Sequence, residues 1–271
     1  MAIAAGEVVC CDLDGVLWRA AEAIPGAADA VMALRAAGAR VAFLTNNSHP
    51  TPEQNARKLS EMGVQASPDD VLSSAQAAAA LLVRALSPGA RVLGGGGPGV
   101  LDALSAAGFT PVELADPAHE DVAAVVVGWH AFDFDGLDRM SAAVRAGARF
   151  VATNLDPTYP TPDGLRPGSG AIVAAVATAA GRAPDVAGKP REATVALVRD
   201  RFGARGVVVG DRPSTDGALA EALGWPFALV LSGVTRRHPG PGEEAIPDPP
   251  PAFVAEDLAA LAPMLLGQSK S

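Results

Sequence analysis

Seven short apolar runs recur along the chain, each unbroken rather than alternating, with helical stretches between them. They are EVVCC at 7–11, RVAFL at 40–44, ARVL at 90–93, VAAVVV at 122–127, RFVA at 149–152, GVVV at 206–209 and FALVL at 227–231. An unbroken apolar run fits a strand that is covered on both faces. Helical patterns occupy 26–37, 52–62, 74–86, 99–107, 136–146, 169–180, 191–202, 215–223 and 257–266. Strand followed by helix, repeated, predicts an α/β fold with mostly parallel sheets. Ligands in such sheets sit at the carboxyl ends of strands, so the residues just past each run carry the functional information.

Those residues are distinctive. The first run is followed by Asp12-Leu13-Asp14-Gly15 and the second by Thr45-Asn46-Asn47-Ser48. The run at 206–209 is followed by Gly210-Asp211-Arg212, with Asp216 five residues past Asp211. Gly188-Lys189-Pro190 stands before the helix at 191. If these tips share one crevice, its carboxylates repel one another and resist ionising together. A hard cation removes that cost, and an oxygen-rich set with few other ligand types suits Mg²⁺. Thr45 and the amides after it suit phosphate oxygens, and Lys189 adds a compact positive charge. The chain has three lysines, at 58, 189 and 270, against eighteen arginines. A lysine kept in so arginine-rich a chain fits a point charge beside a phosphoryl oxygen. This inventory points to phosphoryl chemistry, where positioning and charge neutralisation dominate.

Composition narrows the alternatives. A formal charge of −9 repels nucleic acid and anionic lipid, so neither is an expected partner. No run of about 18 apolar residues exists to span a membrane, and the N-terminus lacks the pattern of a signal peptide. Cys10 and Cys11 are neighbours, so on a strand they point to opposite faces and do not bridge. They read as core residues of a reducing, cytoplasmic compartment. The histidines at 49, 119, 130 and 238 form no zinc-like pair.

DLDGV, TNNS, GKP and GDRPSTD, in that order, resemble the four motifs of the haloacid dehalogenase superfamily of phosphatases. Spacing and wording are similar to the branch with a large α/β cap between the second and third motifs. That branch holds nitrophenyl-phosphate, phosphoglycolate and glycerol-phosphate phosphatases. SSAQAAAALL (73–82), TNLDPTYPTPDGLRPGSGAIVAAV (153–176) and LSGVT (231–235) extend the likeness over nearly the whole chain. The resemblance implies a Rossmann-like parallel-sheet core from residues 1–74 and 184–271, with an inserted smaller α/β cap domain at 75–183. It implies Asp12 as nucleophile, forming an aspartyl-phosphate, and Asp14 as general acid and then base. Mg²⁺ is implied on the Asp12 carboxylate, the Asp14 backbone carbonyl and Asp211, with Asp216 supporting it through water or from behind these ligands. Thr45, Asn46 and Lys189 are implied as the phosphoryl-binding set, and Asn47 as touching either phosphate or the cap. Two positions depart from the family pattern: Gly217 replaces an isoleucine, and Ser214 stands where an acid is frequent.

The cap implies a roofed site for a small phosphorylated metabolite, such as glycerol phosphate, phosphoglycolate or a sugar phosphate. Loop 155–167 is the expected selector of the leaving group, with Asp156, Tyr159 and Arg166 as candidate contacts. A phosphotransferase or mutase using the same intermediate, and a catalytically silent binding module, are the alternatives. Family members often pair through their caps, so a homodimer is one assembly the resemblance admits.

Two stretches imitate a functional motif. FDFDG at 132–136 repeats the DxDG word, but Asp133 lies five residues beyond its strand and after TNNS; acids there fit helix capping. Gly94-Gly95-Gly96-Gly97-Pro98-Gly99 satisfies the form of a dinucleotide fingerprint, yet a glycine run satisfies many patterns and reads as a tight strand-to-helix turn.

Overall fold

The computed structural model describes residues 3–116, 121–130 and 133–268. His119, Phe132 and Lys270, all named above, lie outside them. Two parallel sheets organise the chain. The first runs Phe253–Ala255, Phe227–Val230, Gly206–Gly210, Val8–Cys11, Arg40–Thr45 and Val71–Ser73, every neighbouring pair parallel. The second runs Asp185–Val186, Arg149–Ala152, Ala124–Val127, Arg91–Gly95 and Thr110–Glu113, again all parallel. Its edge strand Asp185–Val186 lies just past the expected cap limit at 183.

The unbroken apolar runs are explained by what covers them. Alternate residues of Val8–Cys11 enter two different cores. Val9 and Cys11 pack with Leu34, Phe43 and Leu258; Val8 and Cys10 pack with Leu44, Val198 and Trp225. The adjacent cysteines therefore face opposite sides and remain free thiols. The second sheet repeats the arrangement. Val92, Val126 and Val151 meet helix Ser74–Val83 and helix Pro98–Ala106, while Leu93, Val125 and Phe150 meet helix Phe134–Arg145 and helix Ser169–Ala180.

Each of the seven expected strands and each of the nine expected helical stretches has its counterpart among the described residues. Strands Val71–Ser73, Thr110–Glu113, Asp185–Val186 and Phe253–Ala255 of the two sheets stand outside the seven expected runs. The expected loop 155–167 contains a hairpin, Thr158–Thr161 against Gly164–Pro167.

Chain order places the site. Val8–Cys11 is central: the chain leaves it toward Arg40–Thr45 on one side, and returns after the second sheet to Gly206–Gly210 on the other. Such a reversal of strand order opens a crevice at the carboxyl ends. Asp12, Asp211 and the strand-end Thr45 leave three adjacent parallel strands in the same direction, so they converge by topology alone.

Candidate active site

At those strand ends lies a cavity of about 190 Å³, lined from the first sheet by Asp12, Asp14, Thr45, Asn46, Asn47, Asp211, Arg212 and Asp216, and by Lys189 from the segment between strand Asp185–Val186 and helix Glu192–Phe202. The second sheet and its hairpin contribute Trp129, Asn154, Asp156, Thr158, Tyr159 and Ser169.

Its centre is a buried cluster of charge. Lys189 Nζ donates to Asp12 Oδ1 at 2.5 Å and to Asp216 Oδ1 at 2.7 Å. It also reaches the Leu44 carbonyl at 3.3 Å. One carboxylate oxygen each from Asp12, Asp211 and Asp216 lies within 4.8 Å of the others. Lys189, Asp12, Asp211 and Asp216 are each less than 10% exposed. Three acids thus surround one ammonium. Burial raises the Asp12 carboxyl well above its ordinary range, against the pull of Lys189. Burial and then Asp216 push Asp211 up to about 7, despite Arg212. Burial alone would depress Lys189, but Asp12 and Asp216 hold it above the usual lysine range. Such a set, short of positive charge and rich in hard oxygen donors, fits a divalent cation.

Local folding fixes each member. Gly15 has φ 88, the left-handed region that glycine enters freely. A Cβ there would stand 2.5 Å from Asp211 Oδ2, so the turn after Asp14 needs glycine to seat Asp211. Asp211 Oδ2 accepts from Val234 N–H at 2.5 Å, and Asp216 Oδ2 accepts from Arg212 N–H at 3.1 Å. Asp14 lines the same cavity but stands outside the three-acid cluster: its Oδ1 accepts from Trp18 Nε1 at 2.9 Å, and burial raises its carboxyl, with Lys58 and Trp18 opposing.

Thr45 Oγ1 accepts from Asn47 N–H at 2.9 Å, shaping the loop after the strand. Asn46 joins the two halves of the site. Its Oδ1 accepts from Lys189 N–H at 2.8 Å, its Nδ2 donates to Asp156 Oδ2 at 3.0 Å, and its carbonyl accepts from Asn154 Nδ2 at 2.6 Å. Asn47 Oδ1 accepts from His49 N–H at 3.1 Å, a bond within its own loop. Arg212 Nη2 donates to the Thr158 carbonyl at 2.9 Å.

The structure therefore brings together Asp12, Asp14, Thr45, Asn46, Lys189, Asp211, Asp216, Asp156 and Tyr159. Asp216, expected to support the metal through water or from behind its ligands, places an oxygen in the same cluster as Asp12 and Asp211. Arg166 is not brought in. It pairs across the hairpin with Tyr159, one strand farther out, and is exposed. Asp133 caps helix Phe134–Arg145, its side chain accepting from Gly136 N–H at 2.8 Å.

Residues the sequence reading passed over include Arg212, Asn154, Trp129 and Lys58. Asn154 stands two residues past strand Arg149–Ala152, where the strand-tip rule applies equally. Lys58 is one of the three lysines, so the usage argument made for Lys189 would have found it.

A family model described as haloacid dehalogenase-like hydrolase matches residues 9–110, and another, HAD-hydrolase-like, matches 186–261. The chain is 39% identical over 255 residues to D-glycerol 3-phosphate phosphatase of Mycobacterium tuberculosis, covering 92% of this chain and 69% of that one. It is 35% identical over 283 residues to glycerol-3-phosphate phosphatase of Gallus gallus, covering 94% and 90%. The solved structure of the glycerol phosphate phosphatase from Mycobacterium tuberculosis in complex with magnesium matches with a TM-score of 0.80 at 38% identity, covering 94% of this chain and 77% of that one. The chain belongs to the haloacid dehalogenase-like hydrolases. Within that class it is an enzyme of the phosphatase kind, a phosphoric monoester hydrolase.

Proposed function

We propose that the substrate is a small phosphate monoester with a polar leaving group, such as glycerol phosphate, phosphoglycolate or a sugar phosphate. Hydrolysis would proceed through an aspartyl-phosphate on Asp12, with Mg²⁺ as cofactor. The observation that carries this reading is the buried Lys189 ammonium held between Asp12 and Asp216, with Asp211 alongside, at the ends of parallel strands. Asp12, Asp211 and Asp216 would hold Mg²⁺, together with the Asp14 carbonyl. When bound, the ion would neutralise the acids and polarise the phosphoryl oxygens.

The remaining steps belong to the chain. An Asp12 carboxylate oxygen attacks phosphorus as the ester P–O bond breaks, and the electron pair departs on the ester oxygen. Asp14 gives that oxygen a proton, releasing the alcohol. Its burial, which raises its pKa, favours the protonated form this step needs. A water then attacks the phosphorus of the intermediate, loses a proton to Asp14, and frees phosphate and Asp12. Lys189, Thr45 and Asn46 would hold the transferring group, with Lys189 stabilising charge that develops away from water.

A cavity of about 190 Å³ supports a small ester. Asp156, Asn154 and Ser169 on its walls suit a leaving group bearing hydroxyls. We assign the roof to residues 75–183 over a core of 1–74 and 184–271, with Asp185–Val186 as the seam. No helix among the described residues is long and apolar enough to cross a membrane.

The test is phosphate release from a panel of small esters, with and without Mg²⁺, for wild type and Asp12→Asn. Release that needs the metal and vanishes in the variant is expected. Release that survives Asp12→Asn would place the nucleophile elsewhere. Transfer to an added alcohol in place of water would mark a phosphotransferase.

A further inference from the structure

We propose that Trp18 and Lys58 are positioning residues for Asp14: they hold its carboxyl so that one defined oxygen delivers the proton to the leaving group. This rests on the phosphatase reading above.

The chain folds back on itself directly after Asp14. Leu17 N–H donates to the Leu13 carbonyl at 2.9 Å, and Gly15 N–H donates to the Trp18 carbonyl at 2.6 Å. This turn returns the indole to the acid that precedes it, and Trp18 Nε1 donates to Asp14 Oδ1 at 2.9 Å. An indole N–H is a donor and never an acceptor. The Oδ1 atom is therefore kept as an acceptor, and Oδ2 is the oxygen free to carry a proton. In the first step that proton passes from Oδ2 to the ester oxygen as its bond to phosphorus breaks. Removing the indole N–H would let the carboxyl rotate and present either oxygen, or neither.

The indole is itself held. Trp18 is 2% exposed and pairs with Ala23 in a short hairpin. Lys58, on helix Pro52–Glu61, places Nζ 3.8 Å from the ring centroid, within cation–π range. The same Nζ donates to the Ala20 carbonyl at 2.7 Å. Ala20, with φ 51, is one of two described non-glycine residues in the left-handed region, at the tip of that hairpin. One lysine thus ties the helix after the Thr45 loop, the face of the indole and the hairpin tip together, and it does so on the wall of the cavity. A lysine serving only surface solvation would have no reason to lie over this ring.

The test compares two leaving groups. An alkyl phosphate needs its leaving oxygen protonated; 4-nitrophenyl phosphate departs as a stable phenolate and needs little help. Wild type, Trp18→Phe, Lys58→Met, Lys58→Arg and Asp14→Asn are assayed on 4-nitrophenyl phosphate and on the best alkyl ester of the panel. Trp18→Phe is expected to lower kcat on the alkyl ester about tenfold or more, with a clearly smaller loss on the nitrophenyl ester and little change in KM. Asp14→Asn should show the same bias more strongly. Lys58→Met should show it more weakly, with Lys58→Arg restoring part of the loss. Equal losses on both esters, or none on the alkyl ester, would overturn the proposal. Should Trp18→Phe lose its near-ultraviolet circular dichroism, Lys58→Met decides by the same comparison. A wild type inert on both esters would remove the phosphatase reading, and this inference with it.

Discussion

Lys189 carries more of the site than any other side chain. It is the ammonium among three buried carboxylates, and it makes its bonds to two of them at 2.5 and 2.7 Å. Lys189→Met should cut kcat/KM about 10² to 10³-fold or more, the scale of losing one charged donor in a water-excluded site. Lys189→Arg should not restore it, because a planar fork does not fit where a point charge meets two acids. Steady-state kinetics on 4-nitrophenyl phosphate checks both. Asp211 gives a second prediction. Its folded pKa of about 7 lies above the ordinary 3.8, so between those values the fold keeps a proton that the unfolded chain has released. Its stabilising contribution is complete below the unfolded value and lost as pH rises through about 7. A cation that binds the ionised acids offsets that loss. Added Mg²⁺ should therefore raise the melting temperature more at about pH 8 than at about pH 5. An equal shift at both would contradict the charge balance described. Among residues, the acids and Lys189 were legible because each lies in the short segment that follows a strand. Trp18 was not, because its bond to Asp14 is a contact that linear spacing does not display, and Lys58 carried only the usage signal, since its contacts are with the Trp18 ring and the Ala20 carbonyl.

At the scale of elements, the long apolar runs were readable because a strand covered on both faces needs no polar alternation. The missed strands lack that signal. Val71–Ser73 has three residues, Asp185–Val186 has two, and Thr110–Glu113 contains Pro111, which suits the sheet edge where it sits. The glycine run resolves differently from its motif. Gly94 and Gly95 end a strand, and Gly97 begins the turn into helix Pro98–Ala106 with φ 80. Gly99 N–H donates to the His49 carbonyl at 2.8 Å, and a Cβ there would come within 2.5 Å of the Ser48 carbonyl oxygen. These glycines let the helix approach the loop after Asn47. Gly97→Ala, strained by its φ and by the His49 ring its Cβ would strike, should destabilise the fold by about 1–3 kcal/mol. Urea unfolding measures it, and an unchanged midpoint would mean the loop yields freely.

For the whole molecule, the decisive feature is that the two sheets share one cavity. Asn46 reaches Asp156 and Asn154, Arg212 reaches Thr158, and Thr153 Oγ1 donates to Ser48 Oγ at 3.2 Å. The elements proposed to select a leaving group are thus bonded to the loop that would hold phosphate. Asp156→Ala should raise KM for hydroxyl-bearing esters more than for 4-nitrophenyl phosphate, and a folded phosphoprotein should give no measurable turnover. Equal KM changes across the panel would assign Asp156 to holding Asn46 rather than to the substrate. The convergence of four separated motifs was foreseeable from strand order. The roof was foreseen only in part: Asp156 and Tyr159 line the cavity, whereas Trp129, Asn154 and Ser169 depend on how separate segments fold over a space that no single one defines.

The most direct measurement is mass spectrometry of the enzyme acid-quenched during turnover of its best ester. A phosphoryl group on the peptide containing Asp12, absent without substrate and absent in Asp12→Asn, is the predicted result. Steady turnover with a phosphoryl group on another residue, or with none trapped at any quench time, would contradict covalent catalysis by Asp12.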